Sequence, residues 1–301
     1  MRPIRLLVPV AALLTAAAAP ANTARWGEPG HRMIGEAAGR ALPADMPAFF
    51  RNAAADFGYL NPEPDRWREF GEVALDSALG IGTSFEHFVD FEGVPDAAFA
   101  APHRYEYLKR LRAVNKDETA GLLPFRILEL VQTLRVEWRL WRVTTDPATR
   151  TRIEARIVND AGILGHYVGD GANPHHTTIH HNGWVGDNPK GYATDRRTHY
   201  RFESAYVQGH VALADVQPLV TAAPVVFDNV RGATMAYLRT TFGQLETLYD
   251  LDKLEAFDER TQGAGHKKFV VGRLAAGATM LRDLWVTAYV TSGNPVPARP
   301  R

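Results

Sequence analysis

The stretch DPATRTRIEARIVNDAGILGHYVGDGANPHH, residues 146–176, decides how the rest of the chain is read. Asp146 stands where a helix N-cap belongs, and Pro147 where the first helical residue belongs. From Thr149 to Asp170 the apolar positions Ile153, Ile157, Ile163, Leu164 and Tyr167 recur at helical spacing. His166 and Asp170 lie four apart, so an imidazole and a carboxylate share one face of the helix and can reach one ion. Taken alone, the pair reads as readily as a buried histidine satisfied by a helical aspartate. The sequence Gly171-Ala172-Asn173-Pro174 then stops the helix and turns the chain, returning His175 and His176 beside the helix end. That return shifts the reading towards a metal site.

Working outward, the pattern repeats. His199 and Glu203 form a second imidazole and carboxylate pair four apart at the start of another helix, after a stretch from Gly171 to Arg197 rich in Gly, Pro, Asn and His without helical or strand period. A loop of that length in a compact domain usually carries function or disorder. Upstream, His87 lies among aromatic residues in the segment Phe85 to Asp90, where a lone histidine is more often a core residue. Asp65 follows Asn61-Pro62-Glu63-Pro64 in a loop turning into a helix, where the ordinary role is an N-cap.

Helical periodicity dominates elsewhere. Ile127, Leu128, Leu130, Val131, Leu134, Trp138 and Trp141 mark one face of a helix from Leu122 to Val143, and two more long helices fit about Val225 to Leu251 and Gly265 to Val290. The chain of 301 residues shows no repeat and no dividing linker, so an all-α, multi-helix single domain is expected over residues 26–293. A proline-rich flexible tail is expected over 294–301. Arg2 and Arg5 ahead of the apolar run Leu6 to Ala19 read as a signal peptide over residues 1–25, hence a secreted or periplasmic protein with no transmembrane segment in the mature chain.

Composition narrows the chemistry. Thirty-four basic and thirty-four acidic residues balance to a formal net charge of zero, so no global field recruits nucleic acid or an anionic membrane. With no cysteine, disulfides, thiolate ligands and cysteine nucleophiles are excluded, and a zinc site must use His, Asp and Glu.

In this order along the chain, Trp26 to His31, Asp65 with Arg68, His87 to Asp90, the H-x3-D-x5-H run of His166, Asp170 and His176, and the H-x3-E pair of His199 and Glu203 resemble the single-strand-specific zinc nucleases and the bacterial zinc-dependent phospholipases C. These motifs span residues 26 to 203. The resemblance implies a phospholipase C / zinc nuclease type of helical fold, with long loops around a metal cleft that holds three Zn2+. One zinc would take Asp65, His87, His166 and Asp170; a second His176, His199 and Glu203; a third His31, Asp170 as a bridge, and the amino and carbonyl groups of an N-terminal Trp26. Arg25 stands immediately before Trp26, so either processing or trimming exposes that amine, or the third site is altered.

The implied activity is phosphodiester hydrolysis by a zinc-activated water, with Asp65 orienting or deprotonating it and Arg68 stabilising phosphoryl charge. Arg68 resembles the nuclease branch, whose substrates are single-stranded nucleic acid or 3'-nucleotides. Glu203 and the absence of cysteine resemble the phospholipase branch, which acts on phosphatidylcholine-type lipids. Trp184, Tyr192, His180 and His181 are candidates to stack a base or touch a lipid glycerol. A zinc-stabilised helical protein without turnover is the non-enzyme alternative, and no protein partner is implied.

Overall fold

The computed structural model describes residues 27–220 and 223–295, apart from the side chains of Phe70 and Leu79. Residues 1–26, among them the expected signal peptide and Trp26, and the tail beyond 295 lie outside the described residues. Among these the chain is all-helical and a single domain, with no strand and one isolated bridge between His181 and Gly183.

Four helices carry the structure: Gly27–Arg40, Leu123–Val143, Pro147–Asp170 and Ala264–Thr291. The third begins as its sequence dictates, with the Asp146 carboxylate accepting from the Thr149 backbone N–H at 2.8 Å and Pro147 in the first turn. The face predicted on Leu123–Val143 buries Ile127, Leu130, Val131, Leu134 and Trp138, while Leu128 and Trp141 are partly exposed. Trp138, Trp285, Phe50 and Phe57 close the core at that end, with edge contacts of 5.4 Å from Phe50 to both tryptophans.

At the other end the helices approach closely enough to bring polar groups together. A Cβ at Gly165 would fall 2.2 Å from Asn61 Nδ2, and one at Gly169 would fall 2.9 Å from His31 Nδ1. The missing side chains on this face of Pro147–Asp170 are therefore what admit Asn61 and His31 beside His166 and Asp170.

Two expectations are corrected. The helix read over Val225 to Leu251 is two helices, Val230–Phe242 and Leu245–Leu254. Asn229 starts the first by accepting from Gly232 N–H at 2.9 Å, and the Gly243–Gln244 pair ends it, breaking the periodicity that sequence alone carries through. Asp65 caps nothing: it lies inside the short helix Glu63–Arg66, leaving its carboxylate for other partners.

No helix among the described residues is long and apolar enough to cross a membrane. The helices Phe70–Leu75 and Ser77–Ser84 form a small hairpin packed on itself and on the Phe85–His87 turn. It leaves Leu75 81% and Ile81 58% exposed.

Candidate metal centre

Asp170 stands at the middle of the site, fully buried at the end of the Pro147–Asp170 helix. Its two carboxylate oxygens face different ways. Oδ2 lies 3.0 Å from His87 Nδ1 and 3.3 Å from His166 Nε2, and Asp65 Oδ1 completes the group at 3.9 Å from His87 and 3.8 Å from His166. Oδ1 faces His31 Nε2 at 3.5 Å. One carboxylate thus borders two clusters, His31–His166–Asp170 and Asp65–His87–His166.

A third cluster joins His176, His199 and Glu203. His199 Nε2 lies 3.1 Å from His176 Nε2 and 2.9 Å from Glu203 Oε2. His199 and Glu203 sit on the helix 198–210, whose middle segment Arg201–Tyr206 is a π-turn. Such widened turns within α-helices are frequent at functional sites.

Outer partners fix which ring nitrogen each histidine presents. A backbone carbonyl can only accept, so the nitrogen facing it carries the hydrogen. His166 Nδ1 donates to Asn61 O at 2.9 Å, and His176 Nδ1 donates to His87 O at 2.7 Å. In both rings Nε2 is left with its lone pair aimed into a cluster, the arrangement that outer-shell carbonyls impose on metal-binding imidazoles. Asn61 also holds His31, whose Nδ1 lies 3.0 Å from its side-chain oxygen, and the His31 and His166 rings stack at 4.0 Å. Asn173 Nδ2 donates to Glu203 Oε2 at 2.9 Å.

Electrostatics follow from burial and crowding. Burial, then the neighbouring His31, holds His166 well below the usual histidine value, and burial likewise lowers His87. Burial also opposes ionisation of Asp170, but His166 and His176 outweigh it and keep the carboxyl well below its ordinary range. Glu203 is pulled the same way, to about 2, as His199 and His176 overcome its desolvation.

These donors fit a divalent metal. Tetrahedral ligands about 2.0–2.1 Å from zinc lie roughly 3.3 Å apart, and the separations here run from 2.9 to 3.9 Å. Hydrogens on His87 and His199 would satisfy part of the set without any ion. They leave His31 Nε2 and Asp170 Oδ1, two buried atoms with no hydrogen-bond partner among the described residues, facing each other. An unsatisfied buried donor or acceptor costs about 1–3 kcal/mol, which a shared cation would relieve. Imidazole and carboxylate suit zinc without identifying it.

A cleft of about 460 Å³ opens over the third cluster, between the Ser84–Asp90 segment and the loop before His199. Asp65 is not part of the cleft lining; its side chain is 24% exposed and accepts from Arg68 Nη2 at 2.7 Å, which puts Arg68 beside the Asp65–His87–His166 cluster. Trp184, Tyr192 and His180 do not line the cleft. They lock the loop instead: Trp184 stacks on His180 at 3.9 Å, and the Tyr192 hydroxyl donates to Asp250. His181 does reach the cleft wall, as do Asp90, His175, Asn182 and Arg196.

Sequence reasoning gives no role to Asn61, Asn173, Asn182 or Arg196, and names His175 and Asp90 only within their motifs. Asn61 had a signal, four residues before Asp65 in a turn sequence, but nothing in the sequence says that its side chain and carbonyl serve two histidines. Compared with protein-family models, curated proteins and solved structures, the chain finds no match in any of the three.

Proposed function

We propose that the protein is a zinc-dependent phosphoric ester hydrolase of the zinc nuclease and phospholipase C type, acting nuclease-like on single-stranded nucleic acid or 3'-nucleotides. The observation that carries this reading is the bridging geometry of Asp170, one buried carboxylate presenting separate oxygens to two imidazole clusters beside an open cleft. The motif order from Trp26 to Glu203 supports the family assignment.

His31, Asp65, His87, His166 and Asp170 would hold two ions, with Trp26 completing the shell of His31, and His176, His199 and Glu203 would hold a third. When bound, zinc supplies Lewis acidity towards phosphoryl oxygens and makes water acidic enough to attack at neutral pH. The remaining work belongs to the chain. Asp65, beside His87 and His166 and ordered by Arg68, orients the attacking water and accepts its proton. Arg68 then offers its guanidinium to the charge that builds on the phosphoryl group. The third cluster has only three protein ligands, which leaves a position open to substrate.

Hydrolysis of single-stranded DNA and of 3'-nucleotides, with and without a chelator, tests the reading. Chelator-sensitive cleavage that falls about a hundredfold or more in Asp65→Asn, with metal retained, is expected. Metal-independent cleavage, or none of any phosphate ester, would refute it.

One observation favours a second reading, phospholipase C. The hairpin of residues 70–84 carries the exposed Leu75 and Ile81 and leads directly into Ser84 and Phe85, which line the cleft. Release of phosphocholine from phosphatidylcholine, lost in a double Leu75→Ser, Ile81→Ser variant that keeps its nucleotide activity, would select that branch.

A further inference from the structure

The third cluster accounts for part of the cleft lining, and other groups on that lining have nothing to bind among the described residues. His175 is 1% exposed, yet neither ring nitrogen has a hydrogen-bond partner among the described residues. Asn182 Oδ1 is likewise buried without one. Arg196 lines the same cleft and makes no ion pair among the described residues, because the adjacent carboxylate of Asp195 is taken by Arg201 at 2.5 Å. Arg196 also holds a left-handed backbone, φ 56°, a conformation rarely adopted by a residue with a side chain. Strain of this kind persists only where surrounding structure enforces it, and it clusters at ligand-binding positions.

None of these features belongs to the metal set. His175 lies in none of the three ligand clusters, although it is next to His176 in sequence. Its ring is boxed by Phe202 and Tyr249, edge-on at 5.5 and 5.9 Å. A polar ring so enclosed, with both nitrogens unpaired, is costly unless a ligand or ordered water completes it.

We propose that His175, Asn182 and Arg196 form a second subsite in the cleft, which binds a nucleotide unit neighbouring the scissile phosphodiester through its own phosphate and a hydrogen-bond donor on its base or sugar. Arg196 supplies the charge for the phosphate, and its planar fork matches phosphate oxygens. A neutral imidazole offers one donor and one acceptor, and the Asn182 oxygen adds an acceptor, so the subsite also requires donors from the ligand. A base amino group or sugar hydroxyl provides them. Phosphatidylcholine does not: its head group adds a trimethylammonium, which has no N–H to donate and would sit against an unpaired guanidinium. The inference rests on the hydrolase reading for the position of the scissile group, but binding at the subsite is measurable without turnover.

The test compares the dinucleotide d(ApA), which has one phosphate, with the same dinucleotide carrying an added 5'- or 3'-terminal phosphate. Steady-state KM is read on the metal-loaded protein, and calorimetric affinity on the chelated protein. The expected result is a preference of about tenfold or more for one of the phosphorylated forms. Arg196→Gln should reduce that ratio to about one, and Arg196→Lys should keep part of it because the charge remains. His175→Leu should weaken binding of every dinucleotide several-fold at unchanged metal content.

Equal affinity for all three dinucleotides, or a preference that survives Arg196→Gln, overturns the subsite. So does a dependence on Arg196 for phosphatidylcholine vesicles but not for dinucleotides. If no phosphodiester is cleaved while the Arg196-dependent preference persists in calorimetry, the subsite stands and the hydrolase reading falls.

Discussion

Asn61 shows how much of the site depends on one residue that binds nothing directly. Its side-chain oxygen and its backbone carbonyl orient His31 and His166, which share one cluster with Asp170, while His166 also belongs to the cluster of Asp65 and His87. Replacing it with leucine leaves the backbone interaction but frees the His31 ring. Outer-shell losses of this kind typically cost about 10- to 100-fold in metal affinity. Asn61→Leu is therefore expected to lose metal from the His31–Asp170 position first, measured by titrating a chelator against metal-loaded protein; unchanged release would show that His31 needs no such partner. Glu137 makes a separate prediction at this scale. Burial, then Asp160, raises its carboxyl to about 7, and Arg156 at 2.8 Å offsets this only in part. The native state then keeps a proton that the unfolded chain loses near the ordinary value of 4.5. Stability should fall as pH rises from about 4.5 to about 7, and Asp90, also raised to about 7 by burial, adds to the same slope. Glu137→Gln is expected to flatten part of that fall, by on the order of 1–3 kcal/mol, in denaturant titrations at pH 5 and pH 8. An unchanged slope would mean that Glu137 ionises normally.

At the scale of elements, the site exists because two helices and a turn approach more closely than side chains usually permit. Gly165→Ala would drive a methyl group into Asn61. Overpacking of this kind costs about 1–3 kcal/mol, and here it should also lower metal affinity; a variant of native stability and full metal content would show that the contact is slack. The same elements show what the sequence made legible. The Asp146–Pro147 start, the helical period and the His166–Asp170 spacing are local, and a local pattern survives translation into structure. The break at Gly243–Gln244 was missed because apolar residues on both sides continue in helical phase. Trp184 and Tyr192 stand in the sequence as candidates either to stack substrate or to pack the loop, because composition cannot tell an aromatic that faces a cleft from one that pins a loop, and Tyr249 and Asp250, which receive them, lie far along the chain. Arg196 and His175 were illegible for the related reason that having no partner is a property of the folded surroundings.

For the whole molecule, the arrangement is a helical body with an ionisable, polar end. The hydrophobic core that includes Trp138 and Trp285 is built of apolar side chains with no metal ligand among them, so the chain should fold without metal, but less stably. Ions that bind only the native state add stability in proportion to their concentration over their dissociation constants. Removing them is expected to lower the melting temperature by several degrees or more, reversibly on adding zinc. The central claim is that the three clusters are metal sites, two of them joined by Asp170, and metal content tests it most directly. Elemental mass spectrometry on purified protein, with Asp170→Asn alongside, should find about three zinc ions per chain where Trp26 is the terminus and about two where residues precede it. Asp170→Asn should lose the ions beside His31 and His87 while keeping the one held by His176, His199 and Glu203. Protein that takes up no zinc, or an Asp170→Asn variant that keeps the full complement, would contradict the account.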